Sequence, residues 1–257
     1  MALTASPDAQ AHLLDLQALD NKLQHLAQRE RTLPEFAELK KLAAELEEHR
    51  RVLTERTGVL EDAKAELRRL ESDVALVEQR MTRDSDRLKT ATSTKDVQAL
   101  EQELAALTRR RSDLEDIELD VMQRVEDAAA GLAEARAAFD GLVSRRAELE
   151  QRRDASLEQL ANERKHTLAN RATVANGLPA DLLALYERQR ERYGWGASLL
   201  RAGVSSASGV ALGANDLARI RAAAPDEVLL CPDSNAILVR TDESGLEPTW
   251  RLDSPLP

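Results

Sequence analysis

Every seventh residue from Leu39 to Leu88 is apolar: Leu39, Leu46, Leu53, Leu60, Leu67, Val74, Met81 and Leu88. A companion row sits three residues on. It is apolar at Leu42, Ala63, Leu70 and Val77 and turns polar at His49, Arg56 and Asp84. An α-helix turns once in about 3.6 residues, so a strict seven-residue repeat keeps one seam on a partner only if the helices supercoil. The pattern therefore predicts a coiled coil, and it restricts the chain to folds built around long paired helices.

The seam stops over Lys89–Thr94, where Thr90-Ala91-Thr92-Ser93-Thr94 is rich in hydroxyls and weak in helix propensity. Ser93 with Asp96 resembles a capping box carrying Asp in place of Glu. A second series follows at once, through Val97, Leu100, Leu104, Leu107, Leu114, Val121, Val125, Leu132, Phe139, Leu142 and Leu149. Two matched stretches around so short a turn must fold back antiparallel, so the partner seam comes from the same chain. Pairing outward from the turn puts Leu60 opposite Val125, Leu53 opposite Leu132 and Leu46 opposite Phe139. At about 1.5 Å per residue such a hairpin is roughly 100–120 Å long. The polar seam positions, which include Arg111, Glu118, Arg146 and Arg153, read as register control or as long side chains reaching the edge. Arg109-Arg110-Arg111, Arg145-Arg146 and Arg152-Arg153 could form a basic stripe. Each has acidic neighbours, which favours a solvated face.

Upstream, residues 1–6 are expected to fray. Ser6-Pro7-Asp8 reads as a helix start, with Ser6 as N-cap and Pro7 at the first helical position. Leu33-Pro34 predicts a kink near 33–34, because proline lacks a backbone donor and crowds the preceding turn. Downstream, Asn176-Gly177 ends the hairpin, with Gly177 as a left-handed cap. A shorter helix spans roughly Ala180–Arg192 and is closed by Tyr193-Gly194-Trp195-Gly196.

Composition locates any globular core. Charged residues make up 32% of the 257 and aromatics 2%, too few large side chains for a globular core of that size. Four of the aromatics, Tyr186, Tyr193, Trp195 and Trp250, lie beyond residue 175. There the texture changes. Ala197–Gly203 reads as a strand and turn, Ser205–Gly209 as a tight turn, and Asn215–Ala223 as a short helix capped by Asn215. Glu227–Cys231 and Ala236–Arg240, split by Pro232-Asp233-Ser234-Asn235, read as a β-hairpin. Residues 242–257 read as a loosely ordered tail, with Trp250 docked.

This layout resembles the bacterial proteins that carry a long coiled-coil hairpin followed by a four-cysteine zinc ribbon. The resemblance rests on the turn region Thr92–Leu100, the glycines of Tyr193–Gly203, the stretch Leu212–Pro225, and Cys-Pro-Asp-Ser-Asn-Ala-Ile-Leu-Val-Arg at 231–240. It covers nearly the whole chain, and the excess of arginine and alanine suggests an actinobacterial-type member. The resemblance implies a mainly α fold: residues 1–175 as an antiparallel hairpin, 176–241 as a short helix plus ribbon-like domain, and 242–257 as a tail. It places the four metal-ligand positions on Ser205, Ser208, Cys231 and Ser234. Three are serine, whose hydroxyl stays protonated near neutral pH and is a poor zinc ligand. The expectation is a ribbon that has lost its metal, with no cofactor and no metal. The lone Cys231 reads as a small buried hydrophobe rather than a reactive thiol.

Function is bounded more loosely. The net charge of −10 does not favour phosphate backbones, and no lysine follows Lys165. No secretory signal pattern and no membrane-length apolar run occur, so the expected location is cytoplasmic. Acidic pairs such as Glu47-Glu48 sit on solvated helix faces, and no nucleophile–base arrangement or phosphate loop is present. The expectation is a non-enzymatic adaptor or scaffold, monomeric or weakly dimeric, that binds a protein partner. Family members look like adaptors or chaperones for secretion and flagellar machinery, or binders of an alternative sigma factor. Nucleic-acid binding through the ribbon-like domain is the alternative.

Overall fold

The computed structural model describes residues 3–246. Its internal contacts divide the chain into two compact units, Pro34–Arg153 and Met1–Leu33 with Asp154–Pro257.

Within Pro34–Arg153, helix α2 (Pro34–Thr90) and the first part of α3 (Thr94–Asn176) run antiparallel. The turn between them is Ala91–Ser93, and the Ser93 carbonyl accepts the Val97 N–H at 3.0 Å, as an N-cap carbonyl does. The buried row on α2 includes Leu42, Leu46, Leu60 and Ala63, and on α3 Leu107, Leu114, Val121 and Leu149. Phe139 packs against the cluster of Leu42, Leu46 and Leu149, in keeping with the expected facing of Leu46 and Phe139. Ion pairs Arg80–Glu103 and Glu66–Arg124 join the two helices and fall on either side of the expected register. Asp84, a polar seam position, is buried between Arg80 and Arg87 at 4.0 and 3.6 Å.

The other unit begins with a correction. The segment expected to fray is tied down from Leu3: Ala5 N–H donates to the Asp226 carbonyl at 2.8 Å, and the Leu3 carbonyl accepts from Val228 N–H at 3.0 Å. Backbone pairing along a sheet edge and burial of Ala5 outweigh the entropy of a free end. Helix α1 (Pro7–Arg31) then starts as its residues dictate, with the Ser6 side chain accepting from Ala9 N–H and Pro7 inside the first turn. It ends before Leu33-Pro34, and α2 begins at the proline.

Helix α3 ends at Asn176, but Gly177 is not left-handed. Gly177 and Leu178 instead donate to the Val174 and Ala175 carbonyls at 3.1 Å each, tightening the last turn so that Leu178 enters the core. Helix α4 (Ala180–Tyr193) closes on Gly194 at φ +85°, where the left-handed cap does occur.

A four-stranded sheet comes next, in the order β2-β1-β4-β3. Strands β1 (Ala197–Arg201) and β2 (Val204–Ser205) form a hairpin through Ala202 and Gly203, both at positive φ as a two-residue turn requires. Strands β3 (Leu229–Leu230) and β4 (Ile237–Val239) form the second hairpin. Strand β4 also pairs in parallel with β1, a long-range register that neither apolar run encodes locally. All three β4 side chains are fully buried. Ile237 and Val239 join Leu13, Leu16, Leu182 and Tyr186 on the helical face, and Leu238 joins Leu200, Leu212, Ile220 and Cys231 on the other, as strand alternation demands.

Two further expectations are corrected. Helix α5 (Ala214–Ala222) is preceded by Gly213 in extended conformation, so Asn215 lies inside the helix instead of capping it. The described start of the tail is structured: Asp242–Ser244 form a 3₁₀ turn, Thr241 and Ser244 cap each other, and Leu246 packs on the core. Trp250 lies outside the described residues.

Gly196 illustrates the packing limit. A Cβ there would sit 2.3–2.6 Å from the ring of Tyr186, which is itself fully buried. Gly196→Ala is expected to cost at least about 2–3 kcal/mol, since the ring has nowhere to move. The loss should appear in urea unfolding followed by Tyr186-sensitive near-UV dichroism, and Gly194→Ala should cost only about 1 kcal/mol through its positive φ.

Candidate functional site

The four positions singled out by the resemblance lie on two turns. The first turn follows β2: Ser205 accepts the Gly209 N–H at its carbonyl at 2.8 Å, and Gly209 has φ +68°. The second turn joins β3 to β4: the Cys231 carbonyl accepts Asn235 N–H at 2.9 Å, with Asn235 at φ +56°. The sheet brings the turns together. Cys231 Sγ and Ser205 Oγ are 3.4 Å apart, and both residues are fully buried. The Ser234 hydroxyl accepts the Ala236 N–H at 3.4 Å and lies near enough to the sulfur to lower the thiol. Ser208 stands apart from this contact: its Oγ accepts the Val210 N–H at 3.3 Å within its own turn.

Ser198 on β1 completes the cluster, and sequence reading missed it. Its Oγ lies 2.7 Å from Ser205 Oγ and accepts the Ala207 N–H at 3.0 Å. Burial pushes the Cys231 thiol up, but the bonds from the Ser205 and Ser234 hydroxyls and from the backbone N–H groups of Ser234 and Asp233 outweigh it. The thiol therefore sits below its ordinary value. A tetrahedral zinc does not fit this donor set. One sulfur is available, two of the hydroxyls are already bonded to each other or to that sulfur, and none ionises near neutral pH. The strand signal was visible in sequence, but a serine seven residues from Ser205 carried no mark of its role.

A second polar constellation holds α1, α3 and α4 together with the start of β1. Asp20 on α1 is nearly fully buried. Its carboxylate accepts from Arg171 Nε at 2.6 Å and Nη2 at 3.1 Å, and from the Tyr186 hydroxyl at 2.7 Å. Arg171 reaches on to Glu187 at 2.6 Å, and Arg190 bonds the other Glu187 oxygen at 2.7 and 3.0 Å. One helical turn before Asp20, Gln17 Oε1 accepts from Gly196 N–H at 2.8 Å and Ala197 N–H at 3.1 Å. These amides open β1, so the network sets where the sheet begins. Bonding to Asp20 raises the Arg171 guanidinium against the opposing pull of burial. Burial first, and donation to Asp20 second, push the Tyr186 phenol up. Arg171 thus stays charged and Tyr186 neutral at neutral pH, which suits a structural joint.

Arg240, just past β4, is the third built feature. Its guanidinium donates to the carbonyls of Ile220, Ala223, Ala224, Pro225 and Glu227 at 2.6–3.3 Å. It thus caps α5 and fixes the loop into β3 with backbone acceptors alone. None of the histidines joins any of these clusters. Among the described residues no group of three or more His, Cys, Asp or Glu side chains could hold a metal ion.

Known proteins share this architecture. The model of the CT398-like coiled coil hairpin domain matches residues 16–194. Two uncharacterised proteins of Mycobacterium tuberculosis, from strains CDC 1551 and H37Rv, are each 33% identical over 234 residues, 91% of this chain and 96% of theirs. A solved structure from Mycobacterium smegmatis is 34% identical, with a TM-score of 0.80 over 93% of this chain and 100% of that one. CT398 from Chlamydia trachomatis shares the fold at 20% identity, with a TM-score of 0.58 over 90% of this chain and 97% of its own.

The node has a signed pH dependence. Burial works against the Glu187 charge, but the bonds from Arg171 and Arg190 outweigh it, so its carboxyl lies below the ordinary value in the folded state. A depressed folded pKa gives stability that is present above the unfolded value and is lost as pH falls through the folded one. Thermal stability should therefore decline on acidification below the ordinary glutamate range, and Glu187→Gln should flatten that decline while lowering stability at neutral pH. Melting curves of both proteins across that range check it.

Proposed function

The chain belongs to the family of CT398-like coiled coil hairpin proteins, and from that premise we propose that it is an adaptor, acting by binding a protein partner and not by catalysis. The observation that carries this is the outer surface of Pro34–Arg153. There α2 and α3 bury a narrow row of side chains while Leu76, Leu119 and Met122 stay 59%, 63% and 44% exposed. Large apolar groups outside the seam contribute nothing to the pairing of the two helices, and they suit a partner that covers helix surface. On α3 they sit within a strongly acidic stretch, Asp113–Asp127, which matches a partner with basic character. The same acidity weighs against the nucleic-acid alternative. No helix among the described residues is long and apolar enough to cross a membrane, which supports a cytoplasmic site of action. The composition and the mycobacterial relatives support an actinobacterial-type member. The test is capture by the full chain compared with Leu76→Glu and Leu119→Glu/Met122→Glu variants. The expected outcome is loss of the captured partner with helical dichroism and melting unchanged. Capture of RNA or DNA that weakens steeply with salt would replace the adaptor reading.

We also propose that the C-terminal sheet is a zinc-ribbon-like module that folds without metal. The two turns bring the ligand positions Ser205 and Cys231 into a hydrogen bond, with the Ser234 hydroxyl near enough to lower the thiol. Protein purified without added zinc should contain less than one equivalent, and a chelator should leave its melting curve unchanged. One tightly bound zinc per chain, with loss of the sheet on chelation, overturns this reading.

A further inference from the structure

Helix α3 carries a second apolar row besides the seam it shares with α2. Leu119, Met122, Ala129, Ala133, Val143 and Ala147 fall on one 3-4 heptad repeat, and all six are exposed. Each stands one residue after the row that packs on α2, about 100° further round the helix. The gaps in the repeat are filled by Glu126 and by Arg136 and Asp140, which pair with each other at 4.0 Å. Toward the turn the same repeat reaches Thr108. There the space between the helices opens into a groove of about 630 Å³, floored by Met81 and Leu104 and edged on α2 by Glu78, Thr82 and Ser85. The row and the groove thus belong to one side of the paired helices. The pairs Arg80–Glu103 and Glu66–Arg124 occupy the other flank.

The spacing and the charge say what fits this side. A 3-4 repeat follows a straight course only for another helix lying along it, and Ala129 and Ala133 let a second backbone approach closely. From Leu119 to Ala147 the row is about 42 Å long, the length of a helix of about 28 residues. Between Asp113 and Asp127 the sequence has seven carboxylates against one base, Arg124, so a partner helix needs lysine or arginine beside its apolar positions. A second copy of this chain fits poorly. A two-fold contact that sets Leu119 beside the Met122 of another copy also sets Glu115 beside its Glu126, and like charges in contact repel.

We propose that this side of α3 is the seat of a third helix, an amphipathic segment of a protein partner with apolar heptad positions and basic flanks. It completes a three-helix bundle over Leu119, Met122, Ala133 and Val143. This occupant presupposes the adaptor reading and narrows it to one class of partner and one side of the hairpin.

The probe is a synthetic peptide of 28 residues with leucine on a 3-4 heptad and lysine at the flanking positions, titrated into the full chain by fluorescence anisotropy. A scrambled peptide of the same composition is its control. The heptad peptide should bind one to one, gain helical dichroism, weaken severalfold with rising salt, and bind at least tenfold tighter than the scrambled one. Leu119→Glu/Met122→Glu and, separately, Ala133→Glu should each weaken it at least tenfold, with the melting of the protein unchanged. Ala138→Glu, on the flank that bears Arg124, should leave it within twofold. Binding no tighter than that of the scrambled peptide overturns the proposal and leaves the adaptor reading to its own capture test. Binding that survives Ala133→Glu, or that Ala138→Glu weakens equally, overturns it too. So does a dimer of the full chain that forms without peptide and is lost in Leu119→Glu/Met122→Glu, which makes a second copy the occupant.

Discussion

Taking the Asp20 carboxylate out of water costs several kcal/mol unless its oxygens are met on every side, and three helices are arranged to meet them. Arg171 supplies two donors from α3, Tyr186 supplies a hydroxyl from α4, and Arg190 stands 3.5 Å away. None of these contacts tolerates a shift of an ångström, because the hydrogen bonds would lengthen while the charge stayed buried. The carboxylate therefore fixes α1, α3 and α4 against one another. Gln17, on the same face one turn earlier, passes the constraint to the sheet by holding the first two amides around β1. The apolar cluster around Leu13, Leu16, Leu182 and Tyr186 supplies burial energy, and the polar node decides which of several greasy packings is used.

The helical part of this arrangement was legible because its signal is periodic. A seam repeated over many heptads, a proline at 34 and a hydroxyl-rich gap at 90–94 each act through local backbone physics, and each element boundary follows from them. The node was not legible, because Asp20, Arg171 and Tyr186 are ordinary residues for helix surfaces and their partnership spans more than 150 positions. The same limit applies to the sheet. The two apolar runs announce the β3–β4 hairpin, but the parallel pairing of β4 with β1 depends on a crossover that no local pattern encodes. Gly196 shows the limit most sharply. It sits in a Gly-Trp-Gly run that reads as a loop, and its need to be glycine comes from the face of a ring ten residues earlier.

Among the four positions taken from the resemblance, sequence identified the residues and structure identified their chemistry. Ser205, Cys231 and Ser234 converge, whereas Ser208 turns its hydroxyl into its own loop. Ser198 takes the place beside Ser205 instead, so the polar contacts of the buried cluster run along β1 and β2 as well as between the two turns. Buried hydroxyls and a thiol contribute about 1 kcal/mol per bond and cost more if left unpaired, so the set works as a closed network or not at all. The apolar faces around it carry the bulk of the stabilisation: Leu200, Ile220 and Leu238 on one side, Ile237 and Val239 on the other.

These constraints fall unevenly along the chain. In the unit that carries the sheet, Gln17, Asp20, Ser198 and Ser205 each have hydrogen-bond partners, and Arg240 spans five carbonyls from the end of α5 into the loop that leads to β3. In Pro34–Arg153 the demands are of another kind: a row of apolar side chains, ion pairs between the helices such as Arg80–Glu103 and Glu66–Arg124, and an aspartate at 84 held by flanking arginines. Residues on the outer faces of α2 and α3 answer to helix propensity and little else. Leucine satisfies that propensity as well as glutamate does, but on a solvated face it leaves apolar surface in water for no structural return. Leu76, Leu119 and Met122 are thus positions where the pairing of the two helices does not decide the side chain.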